Sequence, residues 1–280
     1  MSVEVVADGL GFTEGPVALP DGRVALTSIS HGCVYLVAPS GSVERIETGG
    51  GPNGLAQGPR GELYVAQNGG VWGGSGPAPA GVQVIENGKV DYLATADMGA
   101  PNDLAFGPDG RLWVTDTVAE LEWGKPETGR PGKVLAVDIV DGSVDVLLAE
   151  GPVFLNGLAF TSDEAELLVT ATVDRCVLAY RWSAGVLDGP CRVVKFTEDA
   201  NPDGMARTRG DRFWVALLRA DRLDLVDRVR GVVGTIALPT GCLPTNVCLD
   251  HDGAGLFVTA GFAGSLLRVP GTAAVAMPDL

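Results

Sequence analysis

Histidine is nearly missing from the chain: His31 and His251 are the only two among 280 residues. A Ser-His-Asp triad therefore has little to draw on, and no Gly-x-Ser-x-Gly elbow occurs to present its nucleophile. His251 falls in the Asp250-His251-Asp252-Gly253 turn and reads as solvated. Cysteine is also scarce. Cys33, Cys176, Cys191, Cys242 and Cys248 are odd in number and lack metal-type spacing. They read as small core residues rather than a disulfide framework, which fits a reducing cytosol. Basic residues are outnumbered, 20 Lys and Arg against 35 Asp and Glu, for a formal net charge of −15. Such a balance argues against nucleic acid as a partner and is compatible with a cation. No window approaches 18 uninterrupted apolar residues, and Met1-Ser2-Val3-Glu4 is not a basic stretch leading into an apolar run. Neither a membrane span nor a secretory signal is expected, and a cytoplasmic location is. No segment sustains a 3.6-residue apolar period, so no substantial helix is expected. Gly69-Gly70 and Gly73-Gly74 lack the strand-to-helix setting of a phosphate loop.

What the chain has in plenty is glycine (40) and proline (18), scattered as in many short elements joined by turns. It also repeats itself. Thr13-Glu14-Gly15-Pro16, Pro52-Asn53-Gly54-Leu55, Pro101-Asn102-Asp103-Leu104, Leu155-Asn156-Gly157-Leu158, Pro202-Asp203-Gly204-Met205 and Thr245-Asn246-Val247-Cys248 can be stacked. Each precedes a turn signal, such as Pro108-Asp109-Gly110, and then an apolar run, such as Leu112-Trp113-Val114-Thr115. Aligned polar residues lie 39, 49, 54, 47 and 43 positions apart. A β-rich period in the mid-forties, held six times, is the signature of a propeller.

One repeat can be read in full. Strands are expected over 103–107, 111–116, 133–138 and 143–148, with hairpin turns at Asp109-Gly110 and Asp141-Gly142. The last repeat holds three strands, while Val3-Glu4-Val5-Val6-Ala7 precedes the first with nowhere else to pair. The expectation is one domain, residues 1–280: an all-β six-bladed β-propeller of four-stranded antiparallel blades, its ring closed by the N-terminal strand. Closure protects edges from stray pairing.

The first strand of each propeller blade lines the central channel. Glu14, Asn53, Asn102, Asn156, Asp203 and Asn246 should therefore converge at one mouth of the tunnel. Two carboxylates and four carboxamides are hard oxygen donors, with no His or Cys among them. That set suits calcium or magnesium, and calcium tolerates irregular cages better. A lone Asn in Pro-Asn-Gly is usually a turn cap; six in register point to a shared role. The two longest insertions, 69–81 with Trp72 and 118–132 with Glu120, Glu122 and Trp123, follow second strands and should overhang this mouth. That is where substrate selection usually resides.

With these motifs in view, the chain resembles the gluconolactonase/regucalcin (senescence marker protein) superfamily of six-bladed propellers. The carrying residues are Phe12-Thr13-Glu14-Gly15-Pro16, Pro101-Asn102-Asp103, Phe154-Leu155-Asn156-Gly157, Pro202-Asp203-Gly204-Met205 and Leu243-Pro244-Thr245-Asn246. The resemblance spans essentially the whole chain. It implies one divalent cation, calcium foremost with zinc, manganese or magnesium as alternatives, held by Glu14, Asn156 and Asp203. It gives Asn102 a substrate contact, as in sugar lactonases, or a fourth ligand position, as in diisopropylfluorophosphatases. Glu120 matches an acidic substrate contact, and Asn53, Trp72 and Trp123 are further substrate-binding candidates. Ala100 stands where many sugar lactonases have Arg, and Gln67-Asn68 where many have His. Both departures make the pocket less suited to polyhydroxy or anionic sugar lactones and favour a less polar lactone or ester. The implied activity is metal-dependent opening of a small-molecule lactone, with Asp203 as the base that deprotonates water. An organophosphate hydrolase, another metal-assisted step in a biosynthetic pathway, and a non-catalytic calcium-binding propeller stay open as alternatives.

Overall fold

The computed structural model describes residues 3–118, 121–208, 210–253 and 255–271. Twenty-four strands form six four-stranded antiparallel sheets, arranged as the blades of a six-bladed β-propeller. In the first five blades the strands follow one another in sequence order, inner to outer. The sixth takes its inner three strands from Pro244–Leu249, Leu256–Ala260 and Ser265–Val269, and its outer one from Glu4–Ala7 at the other end of the chain. Among the described residues the one helical element is a 3₁₀ turn at Pro126–Thr128, and no helix is long and apolar enough to cross a membrane.

Burial explains the strand chemistry. The second strands, such as Leu112–Asp116 and Phe213–Leu217, are covered on both faces and buried at every residue. They read as continuous apolar runs for that reason. The outer strands face water, and Val43–Glu47 is almost wholly exposed. Six apolar clusters follow, one between each pair of neighbouring blades. Trp113 and Trp214, at 0% and 1% exposure, are the largest side chains in them. Truncating either to Ala should cost about 3–5 kcal/mol. Cys191 departs from the expectation of buried cysteines: it lies on the long outer strand Val186–Lys195, exposed.

The inner strands carry the feature that places the site. In blades 2 to 5 two consecutive inner residues oppose one residue of the second strand, a β-bulge. The bulged pairs are Asn53-Gly54, Asn102-Asp103, Asn156-Gly157 and Asp203-Gly204. A bulge bends the strand and re-aims a side chain, and here it turns the polar residue of each motif toward one end of the channel.

Candidate functional site

The bulges are pinned from the preceding blade. Thr27 Oγ1 donates to the Asn53 carbonyl oxygen (2.5 Å), Thr115 Oγ1 to that of Asn156 (2.6 Å) and Thr170 Oγ1 to that of Asp203 (2.6 Å). These threonines are the next-to-last residues of the second strands of blades 1, 3 and 4, so that sequence position also fixes the next blade's polar residue.

Glu14, Asn53, Asn102, Asn156 and Asp203 line one cavity of about 270 Å³ at the channel mouth. All five are buried. The sixth expected member is not there. Counted from Pro244, the residue in register with Asn102 is Thr245, and Asn246 corresponds to Asp103. Thr245 turns its hydroxyl to the Thr13 carbonyl (2.8 Å), and Asn246 sits below the ring. Its amide donates to Asp103 Oδ2 across the axis at 3.4 Å. This layer has room for few side chains. The equivalent residues of blades 1, 2, 4 and 5 are Gly15, Gly54, Gly157 and Gly204; a Cβ on Gly54 would strike the Asp103 carboxylate and one on Gly204 the Asn246 amide. Asp103 and Asn246, from opposite blades, thus floor the channel.

Three buried acids result, and their surroundings resist their ionisation. Burial pushes the Glu14 carboxyl up to about 8, aided by the Asp103 charge and moderated by the Gly15 N–H (2.9 Å) and Asn246. Burial raises Asp103 to about 6 against bonds from Leu104 N–H and Asn246. Asp203 is raised well above the usual carboxylate range by burial first and the Glu14 charge next, with Asn156 opposing. Buried carboxyls of this kind call for a counter-charge.

The donors fit a hard divalent cation. The side-chain oxygen Oδ1 of Asn53 is buried with no hydrogen-bond partner among the described residues. Asn156 Nδ2 donates to Thr172 Oγ1 (3.2 Å), which leaves the side-chain oxygen Oδ1 as the atom available for coordination. Among the described residues no group of three or more His, Cys, Asp or Glu is placed to hold a metal by itself. A cation here would need the amide oxygens beside the two acids, an all-oxygen set of the kind calcium accepts.

Above this polar floor the wall is apolar. Trp72 packs edge-on against Phe154 (ring centroids 4.8 Å apart), Trp123 lies 5.1 Å from Phe154, and Trp72 Nε1 donates to Thr117 Oγ1 (2.9 Å). Both long loops therefore reach the mouth, as their lengths and positions predict. Glu120 lies outside the described residues. Ala100 is fully buried, its N–H held by Asp116 (2.7 Å), and Asn68 is buried with its side-chain oxygen accepting from Gly70 N–H (2.8 Å); neither lines the cavity. His31 is bonded to the Tyr35 hydroxyl (2.8 Å) and also stays out.

Phe12, Phe154 and Leu243, which open three of the family motifs but are not among the site candidates of the sequence, all line the cavity. Each stands immediately before an inner strand, one frame upstream of the polar motif, so the repeat alignment contained the signal. Phe154 and Leu243 hold left-handed backbone (φ 60° and 47°). That conformation costs a non-glycine residue of order 1–3 kcal/mol and accompanies the placement of their side chains over the polar floor. Ile29, Leu218 and Phe262, which is 75% exposed at the rim, complete the wall without a motif to mark them.

The same architecture recurs widely. A luciferin-regenerating enzyme superposes with a TM-score of 0.81 at 16% identity, covering 96% of this chain and 94% of that one. A gluconolactonase from Xanthomonas campestris superposes at 0.80 with 21% identity, covering 96% and 89%. The calcium-binding protein regucalcin from Agrobacterium tumefaciens superposes at 0.77 with 18% identity, covering 96% and 93%. No curated protein sequence matches. Residues 12–262 match the model of the SMP-30/gluconolactonase/LRE-like region, and the chain belongs to that family.

Proposed function

We propose that the protein is a divalent-cation-dependent hydrolase that opens a lactone whose ring carries an apolar chain rather than a polyol. The observation that carries this reading is the convergence of Glu14, Asn53, Asn102, Asn156 and Asp203 on one cavity whose remaining wall is aromatic and aliphatic. Glu14, Asn156 and Asp203 would hold the cation, with Asn102 as a fourth donor, and calcium suits the all-oxygen set best. The names of two relatives, a gluconolactonase and a calcium-binding regucalcin, point the same way. Bound there, the cation supplies Lewis-acid polarisation of a carbonyl and charge stabilisation of the oxyanion.

The chain's own residues do the rest. Asp203 takes the proton of the attacking water, its carboxyl lining the cavity that the substrate would enter. Glu14 supplies compensating charge, and Asn156 donates toward the Asp203 carboxylate and keeps it aimed. Asn102 and Asn53 offer amides to the ester oxygens. Trp72, Phe154 and Trp123 hold the hydrocarbon part and exclude water. The aromatic and aliphatic side chains of the cavity wall, Trp72, Phe154 and Leu243 among them, support an apolar ring substituent over a polyol.

The test is a pH-drop hydrolysis screen over lactones of graded polarity, with chelator and with calcium, zinc, manganese and magnesium added back. Chelator should abolish turnover and calcium restore it, and Asp203→Asn should lower kcat by roughly 10²–10⁴-fold. A folded Asp203→Asn variant with full activity would overturn the role given to that residue. Stabilisation by calcium without turnover of any lactone would leave a binding propeller instead.

A further inference from the structure

A second cavity, about 580 Å³, adjoins the first on the same face and shares Trp123, Leu218 and Leu243 with it. Its distinctive residues are Arg175 and Arg219. In a chain of net charge −15 most exposed positions repel anions; two guanidiniums beside the channel mouth reverse that locally. Other arginines of the chain are neutralised, such as Arg222 by Asp224 at 3.2 Å and Arg228 by Glu166. Among the described residues neither Arg175 nor Arg219 has an ion-pair partner, and the Nε of Arg175 is buried with no hydrogen-bond partner at all. An unpaired buried donor on a cation is costly unless a ligand satisfies it.

Arg175 is also held in place by its backbone. It adopts left-handed φ (51°), its N–H donates to the Thr172 carbonyl (3.2 Å), and its carbonyl accepts from Phe196 N–H (2.8 Å). Thr172 itself lines the first cavity and bonds Asn156, so the guanidinium and the polar floor are braced by one short loop.

Resting on the hydrolase reading above, we propose that this second cavity is a carboxylate subsite, and that the substrate is a lactone or ester whose apolar tether ends in a single negative charge bound by Arg175 and Arg219. Arginine suits this role because its planar fork matches a carboxylate with two parallel hydrogen bonds. The charge count favours a monoanion: Glu198 lines the same cavity, so two positive groups face one negative one. The shared Trp123, Leu218 and Leu243 form the apolar bridge along which the tether lies.

The experiment compares γ-lactones bearing side chains of two, four and six carbons that end in a carboxylate or in the neutral carboxamide. For one tether length, wild-type kcat/KM should favour the carboxylate by roughly tenfold or more, through KM, as charge-assisted hydrogen bonds imply. Arg175→Gln with Arg219→Gln should collapse that preference, and Arg175→Lys should restore part of it. A carboxylate-to-carboxamide ratio unchanged by the double substitution overturns the proposal. Binding of the same pairs, followed by quenching of Trp72 and Trp123 fluorescence, separates the two claims. If no lactone is turned over but carboxylate-selective binding disappears in the double variant, the hydrolase reading fails and the subsite stands; if selective binding is absent from the wild type, the subsite fails.

Discussion

Replacing Glu14 by Gln should make the cation-free protein more stable, and increasingly so as pH rises. Glu14 is buried above Asp103, and its carboxyl holds a proton up to about 8 instead of 4.5. Between those values the native state keeps a proton that the unfolded chain has released, so stability falls as pH increases through the window. The contribution is fully present below 4.5 and lost on passing 8. For a single carboxyl with these two limits the loss is about 1 kcal/mol at pH 5 and about 4 kcal/mol at pH 8. Gln fills the same volume, still accepts from Gly15 N–H, and has no charge to desolvate. Relative to wild type, Glu14→Gln should therefore gain about 3 kcal/mol between pH 5 and pH 8. That corresponds to roughly 6 °C in Tm for a domain of this size. The assay is thermal unfolding in chelator at both pH values, repeated with millimolar calcium. Calcium should reverse the order at pH 8, because it stabilises the wild type and finds one acidic donor fewer in the variant. A Tm difference that stays constant from pH 5 to 8 would refute the claim that Glu14 is an uncompensated buried acid. So would a wild type that exceeds the variant at pH 8 without calcium.

Two further outcomes follow from the site's construction. Thr170→Val removes the hydroxyl that pins the Asp203 carbonyl; it should cost about 1–3 kcal/mol in unfolding experiments and lower kcat by more than the Tm change alone accounts for, whereas Thr27→Val should affect mainly stability. Trp72→Ala deletes the ring that packs on Phe154; the gain in kcat/KM with lengthening alkyl side chains on a lactone, steep in the wild type at about 0.8 kcal/mol per buried methylene, should flatten, and an unchanged slope would remove Trp72 from the substrate wall.

The blade count, the ring closure and five of the cavity's polar residues were legible because each depends on local chemistry repeated in register. Gly15, Gly54, Gly157 and Gly204 mark where inner strands crowd the axis, and the Asn or Asp before the last three marks the bulge. The error at Asn246 has the same origin. In Pro244-Thr245-Asn246 the eye aligns the amide with Asn102, but the strand starts at Pro244 and puts Thr245 in the ring. Bulge register is decided by pairing with Leu256–Ala260, which the motif alone does not encode. Asp103 escaped notice as a third acid because its partner across the channel lies 143 residues away. Trp72 and Trp123 could be nominated from loop position, but their meeting with Phe154 depends on two loop paths that no periodicity fixes. Cys191 reads as apolar from composition and is exposed because its strand is the last of its blade.

The polar floor belongs to no single part of the chain. Its acids come from blades 1, 3 and 5, and the amide that spans it comes from blade 6, whose outermost strand is supplied by residues 4–7. During synthesis the earliest of these segments must wait for nearly the last. Cutting any one blade out would leave the carboxylates without a common centre. The proposed cation site and the circular architecture are thus completed by one event, and a partly assembled ring lacks part of the donor set that the proposal requires.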